Sequence, residues 1–412
     1  MASIARDAAK PPRAVFWLVV LIGLSVLLNY VDRGAIGVAA PLMKSELGLS
    51  ATGFGVAVSA FFWVYAPMNL AVGWLCDRFC VYRIFAAGVA IWALSTFLTG
   101  FIGGIAMLLV FRLFLGLGEA IAFPGSSKIF AAEVPAAHRG MANAVVGAAL
   151  AFGPAVGTLA GGVILGLAGW REIFWIFGAV TLLWLIPWHF ASRPFRSESL
   201  TQAIVAPIPI RRLLRIPALW LMSAAHFMSN YGFYFLLAWL PLFLVETRGY
   251  SIAEMTVLAS TGLVAQGFSA LISGRISDIL VVRGVNEATL RRWIMALGQL
   301  MLGLSIGGVF LADGADVLLF WLVLGGIGTG VVSVNIFAVA QMFGGPKATG
   351  GWVGVQNTLG NTAGIVGPVI TGLIIDRLGG YEWAFIVAAG VTLLGAFWWL
   401  FVVPPIREVS QE

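Results

Sequence analysis

Twelve apolar windows, each near the ~20 residues that an α-helix needs to cross a bilayer, fix what this chain can fold into. They fall at 14–38, 52–75, 84–101, 105–127, 141–166, 173–190, 217–244, 252–276, 293–312, 316–341, 350–375 and 383–404. With 60% hydrophobic residues, 10% charged residues and a mean hydropathy of +0.98, a soluble core of 412 residues is excluded. Short alternating segments, which a transmembrane β-barrel would need, are absent. The expected fold class is an all-α polytopic membrane protein with twelve transmembrane helices in two six-helix halves. The opening MASIARDAAKPPRA has no apolar core or cleavage site before the first span, which is therefore read as its own insertion signal.

Lysine and arginine set the orientation. With the N-terminus inside, eighteen of the twenty-four basic residues fall in inner segments, while the outside takes Lys44, Arg171, Arg248 and Arg377. Both termini are thus expected in the cytoplasm, with the chain multi-pass in the membrane. The net charge of +6 follows from this topology, so no nucleic-acid partner is implied. Only Arg33 and Arg112 remain, and both lie within spans.

The longest polar interval, from His189 to Pro217, separates six windows from six. The expected organisation is an N-terminal bundle at 1–190, a cytoplasmic linker at 191–216 and a C-terminal bundle at 217–412. The halves echo each other. GWLCDR at 73–78 has the frame G-x-x-x-D-R, and GRISD at 274–278 repeats its first five positions. GPAVG at 153–157 is matched by GPVIT at 367–371. Parallel six-helix repeats suit a rocking transporter with a central site between them.

Chemistry is concentrated where charge enters the spans. FRLFLGLGEAIAFP at 111–124 places Arg112 and Glu119 seven residues apart, about two turns, on one helix face but too far apart to pair directly. Each needs a partner elsewhere, because an ionised group facing lipid costs at least ~2.5 kcal/mol. Asp32 and Arg33 on the first span are the remaining deep charges, and the four sum to zero. A buried four-charge cluster between the first and fourth helices is expected. It could be a structural ion-pair network that locks the bundle, or a proton-coupled anion site. In the second reading a carboxylate among other charges in low dielectric takes up a proton, an arginine loses its counter-ion, and a substrate carboxylate fills its place. Adjacent helix positions point about 100° apart, so one of Asp32 and Arg33 should face the cavity and the other the fourth helix. Arg33 is expected to meet the substrate and Arg112 to hold an acid in place.

Twelve spans, the central loop and G-x-x-x-D-R after the second span resemble the major facilitator superfamily. NYVDR at 29–33, SAFFWVYAP at 59–67 and FRLFLGLGEAIAFP at 111–124 resemble, more narrowly, its anion:cation symporter family, which includes bacterial sugar-acid transporters. That resemblance implies proton sites at Asp32 and Glu119 and substrate contacts at Arg33, Tyr30, Tyr65, Ser333 and Asn357, and Arg112 on the same cluster is counted with the substrate contacts. Asp77 and Asp278, which recur by repeat near helix ends, are expected with Arg78 to form the cytoplasmic gate. Leu150 stands where the sugar-acid transporters carry a glutamine, which points to a less hydroxylated substrate. Cys80 and Val81 replace the glycine and basic residue that the family has after D-R-x.

Weaker signals take simpler readings. GPAVG fits close helix packing around a proline kink. Cys76 and Cys80 are expected as reduced thiols, and the scattered His138, His189 and His226 form no metal ligand set. Polar residues in the later spans, Asn230, His226, Asn335, Gln356 and Asn361, serve interhelical hydrogen bonds or substrate. With no phosphate loop or nucleophile motif, the chain is not expected to be an enzyme. No cofactor or metal is implied beyond a proton as coupling ion; the partners expected are the lipid bilayer and a small organic anion, with the protein a monomer. The expected activity is proton-coupled symport of a sugar acid or related carboxylate by alternating access. An exporter or antiporter of organic acids or drugs is the alternative, and a non-transporting receptor a third class.

Overall fold

Residues 13–196 and 210–407 are described by a computed structural model. Among them, twelve helices are long and apolar enough to cross a membrane, and no strand is present. They are α1 (Arg13–Glu46), α2 (Ala51–Arg78), α3 (Val81–Thr99), α4 (Ile105–Glu119, resuming as Ala122–Glu133), α5 (Ala136–Leu167) and α6 (Trp170–Ala191). After residues 197–209 of the expected linker, which lie outside the described residues, come α7 (Pro217–Thr247), α8 (Ile252–Val282), α9 (Glu287–Leu311), α10 (Ala315–Gly345), α11 (Gly351–Leu378) and α12 (Glu382–Phe401). Their flanks obey local chemistry. Ser50 caps α2 by accepting from the Gly53 amide, Ser251 and Glu254 form a capping box on α8, and Asn286 accepts from the Thr289 amide on α9. Large apolar side chains in the middle of spans, such as Leu183, Leu297 and Leu394, stand on the outer surface, as a face solvated by lipid rather than water requires.

Three proline breaks decide where backbone groups come free. The window at 105–127 is not one helix: Pro124 lacks the amide that would bond the Ala120 carbonyl, and the ladder lapses at Ala120–Ile121, directly after Glu119. In α7, Pro241 leaves the Leu237 carbonyl without its helical donor, the helix ends in a π-turn at Phe243–Thr247, and Gly37 of α1 packs on that carbonyl. Between α10 and α11, Gly345 takes φ 55°, which an L side chain rarely adopts, just before Pro346.

Helices α2 and α11, α5 and α8, and α1 and α7 carry the contacts between the first six spans and the last six. These contacts are tightest at the end that the basic residues assign to the outside. There Lys44 pairs with Glu246 at 2.8 Å, and the Tyr381 hydroxyl donates to the same carboxylate at 3.0 Å. Asp376 at the end of α11 accepts from the amides of Ala51 and Thr52, at 3.0 and 2.7 Å, so it caps α2 across the interface. At the opposite end the Asp278 carboxylate turns to Arg291 of its own half, at 3.5 Å. The outer end is latched.

Candidate functional site

Small residues bring the charged helices together. Gly116 of α4 lies where a Cβ would meet the Phe61 carbonyl of α2, and Gly118 where one would meet Gly88 and Trp92 of α3. Gly153 and Gly157 do the same for α5 against Tyr30 and Val31 of α1, so GPAVG is a packing element, as its spacing suggested. Against this close frame the Arg33 Nε donates to Glu119 Oε2 at 2.8 Å, an ion pair between α1 and α4 with both side chains buried. The guanidinium carbon of Arg33 also lies 4.5 Å from the ring centre of Tyr65, 4.7 Å from that of Tyr30 and 5.1 Å from that of Phe61.

Asp32 turns the other way. Its Oδ2 accepts from Trp92 Nε1 at 3.0 Å and from Thr96 Oγ1 at 3.2 Å, both on α3. The two neighbours do not divide cavity and α4 between them as the sequence suggested: Arg33 faces the cavity as expected and also takes α4, while Asp32 is held by neutral donors of α3. Arg112 also corrects its expected role. It holds no acid; Nε and Nη2 donate to the backbone carbonyls of Ala57 and Val58, at 3.3 and 3.4 Å. The reason is geometric: Glu119 is claimed by Arg33, and Asp32 points to α3.

Arg33 and Arg112 meet across a cavity of about 30 Å³, walled by α1, α2, α4 and α7. At ~10–15 Å³ per water it holds about two water molecules, so a substrate needs the bundle to move before it enters. Three polar atoms of the cluster are buried with no partner: Arg33 Nη2, Glu119 Oε1 and Asp32 Oδ1. Buried polar atoms are seldom left so, and these belong to charged groups.

Other expected contacts are spread more widely. Tyr30 and Tyr65 stand beside Arg33, as the resemblance implied. Asn357 is connected rather than exposed to the cavity: the Tyr234 hydroxyl, on the cavity wall, donates to Asn361 Oδ1 at 2.6 Å, and Asn361 Nδ2 donates to Asn357 Oδ1 at 3.0 Å. Ser333 is not brought to the cluster; its hydroxyl bonds the Gly330 carbonyl one turn back on α10. Asn335 accepts from Arg291 at 2.5 Å, and Gln356 lies 3.3 Å from His226 Nδ1, so both serve interhelical bonds. At the inner end, Arg78 is exposed and Asp278 pairs within its own half rather than across the bundle; the Asp77 side chain lies outside the described residues. Neither Cys76 nor Cys80 is in a disulfide.

Sequence reasoning passed over Trp92, Thr96, Phe61, Tyr234 and Asp376. Trp92 and Thr96 are four apart, one face of one turn, a legible pairing for a carboxylate once Asp32 is placed opposite. GLIIDR at 372–377 repeats the G-x-x-x-D-R frame of 73–78 and would have flagged Asp376. Phe61 and Tyr234 had no signal, since aromatic residues abound in every span.

The model of the Major Facilitator Superfamily matches residues 22–286 and 284–412. The chain is 31% identical over 407 residues to the probable sulfoacetate transporter SauU of Cupriavidus necator, covering 94% of each. It is 28% identical to the probable galactarate/D-glucarate transporter GudP of Escherichia coli, covering 100% of this chain and 98% of that one. Its fold is similar to that of a bacterial homolog of the human lysosomal transporter Spinster in an inward-facing and occupied conformation, with a TM-score of 0.80 at 20% identity over 95% of this chain and 97% of that one. Twelve spans, a charged cavity among the first helices and a match that runs from end to end establish that the chain belongs to the major facilitator superfamily of membrane transporters.

Proposed function

We propose that this protein is a proton-coupled symporter that imports a small organic anion, a sugar acid or related organic acid, across the bacterial inner membrane. The observation that carries the reading is Arg33 Nη2, a buried cationic donor without a partner beside a cavity that a second arginine shares. Such a donor favours an anionic acceptor, and a guanidinium offers two parallel bonds to one. Relatives named for sulfoacetate and for galactarate/D-glucarate support an anionic cargo.

Coupling follows from the Arg33–Glu119 pair. A proton taken up by Glu119 cancels its charge, so Arg33 loses its counter-ion and the cavity gains a positive site. Substrate then restores neutrality, and its release requires Glu119 to return the proton. Asp32, held by Trp92 and Thr96 and not by an arginine, is the second proton site. The halves at 1–190 and 217–412 rock about the cavity, with both termini inside and the monomer as the working unit. Asp77, Arg78 and Asp278 close the inner end when the outer latch opens, an alternation that the latch at the outer end supports.

Uptake of labelled organic acids into proteoliposomes under an imposed pH gradient tests this. Accumulation with inward protons is the expected result. Efflux exchange in its place would establish an antiporter, and no flux of any acid would end the transport reading for this substrate class.

A further inference from the structure

Just before α7 the chain makes one turn of helix, Ile210–Leu213, which carries Arg211 and Arg212, with Arg215 directly after it. All three arginines are exposed, and among the described residues none has a carboxylate within 4 Å. Basic residues that only set topology need no fixed geometry. These have one. Leu213, between them, is fully buried in an apolar cluster with Leu219, Trp352 and Ile406. Its Cδ1 fills the space beside Gly351, the first residue of α11, where a Cβ would come within 2.6 Å of it. The Trp220 Nε1 donates to the Leu214 carbonyl at 2.9 Å, which ties the same turn to α7.

The surroundings of the turn are cationic on one side and apolar on the other. Arg292 Nη2 donates to the carbonyls of Val403 and Pro404, at 2.8 and 2.6 Å, and so brings a fourth positive charge to the cluster that Leu213 and Val403 share. No side chain caps the start of α7 at Ile216, so the positive end of that helix dipole adds to the charge. Beside the arginines the Trp220 ring and Leu214 stand exposed, at 47% and 39%. A tryptophan ring of this kind settles at the boundary between headgroups and acyl chains, and its bond to the Leu214 carbonyl holds the arginines at headgroup depth.

We infer that Arg211, Arg212 and Arg215 form a binding site for the phosphate headgroup of an anionic phospholipid, with Trp220 and Leu214 lying along its glycerol and first acyl carbons. Guanidinium forks match phosphate oxygens, and each basic residue held near an anionic lipid surface adds to the attraction. Free phosphate would meet the same arginines but would leave the apolar pair without a role, so the lipid is the occupant. The site shares no residue with the cavity of Arg33 and Arg112 and is independent of what the cargo is. Because Leu213 is wedged against Gly351, a headgroup held here bears on the start of α11, close to the break at Gly345, and its binding registers in the stability of the fold.

Thermal unfolding of the full-length protein, purified in dodecyl maltoside micelles, tests this with added phosphatidylglycerol, phosphatidylcholine or inorganic phosphate. Phosphatidylglycerol is expected to raise Tm in a saturable way that weakens with salt, and the other two are expected to leave it unchanged. Replacing all three residues together, Arg211→Gln, Arg212→Gln and Arg215→Gln, should raise the half-saturating phosphatidylglycerol fraction at least about tenfold, whereas the corresponding triple change to lysine should keep most of the response. Arg211→Gln alone, at an exposed position, reads part of the same loss should the triple variant fail to fold. Equal shifts from phosphatidylglycerol and phosphatidylcholine, or an unchanged response in the glutamine variants, overturn the site. A shift of the same size from inorganic phosphate overturns the lipid as its occupant.

Discussion

Arg33 and Arg291 are both buried guanidinium groups, one in each half of the bundle, and they are treated oppositely. Arg291 on α9 is surrounded by partners of its own half: Ser277 at 3.0 Å, Asn335 at 2.5 Å, Glu287 at 3.3 Å and Asp278 at 3.5 Å. Arg33 has one carboxylate and an orphaned nitrogen, and Glu119 and Asp32 each keep an orphaned oxygen. In the second half the unpartnered buried atoms among the described residues belong to neutral side chains such as Gln299, Gln356 and Trp352. A satisfied buried charge is scaffold, because every proton or ligand that approached would have to break bonds already made. An unsatisfied one is available for work.

The strongest way to break this contrast is Glu119→Gln. The amide mimics a permanently protonated acid, so proton-driven accumulation should be abolished while counterflow exchange of substrate persists; Asp32→Asn should impair coupling as well. Uptake under a pH gradient beside exchange without one measures both, and parental accumulation by the two variants would remove the proton sites from the first half.

Next come the arginines themselves. Lysine keeps the charge but not the planar fork, so Arg33→Lys should weaken anion binding by tenfold or more, given about 1.5–3 kcal/mol for a charged hydrogen bond. Arg112→Lys should cost only a few-fold, because what it loses are the long bonds to Ala57 and Val58. Calorimetry at low pH reads the order. Arg291→Gln sharpens the opposite side: it strips the buried bonds to Ser277 and Asn335, for a loss of about 1–3 kcal/mol in stability with substrate affinity unchanged. Thermal unfolding with and without ligand separates the two effects.

The outer latch should respond more modestly. Asp376→Asn removes the charge that caps α2, worth about 1–2 kcal/mol, and should raise the outward-open population by about tenfold, read as spin-label distances between the outer ends of α1 and α7. Smallest of all is Asp278→Asn. Its carboxyl side chain is 66% exposed and its partner has three other acceptors, so a stability change within about 0.5 kcal/mol is expected by thermal unfolding.

Hydropathy, basic-residue placement and the repeats gave away the twelve helices and the charges that matter, because the price of exposing a backbone or a charge to lipid is paid residue by residue along the chain. The proline at 124 and the glycines at 116 and 118 were visible too, although only the packed structure shows that they break α4 beside Glu119 and admit α2 and α3 to its flank. Partner choice was not legible. Asp32 and Arg33 are neighbours in sequence, yet one bonds Trp92, sixty residues on, and the other Glu119, eighty-six residues on. Arg112, expected on an acid, found carbonyls because the acids had been claimed. Each span's period determines which side chains share a face, but which faces meet depends on helix rotation and approach, and those are set by small-residue contacts between helices far apart in the chain. The sequence by itself therefore determined that four charges would be buried and sum to zero; tertiary packing alone decided which of them pair, which atoms stay unpartnered, and that both arginines look onto one apolar-walled cavity.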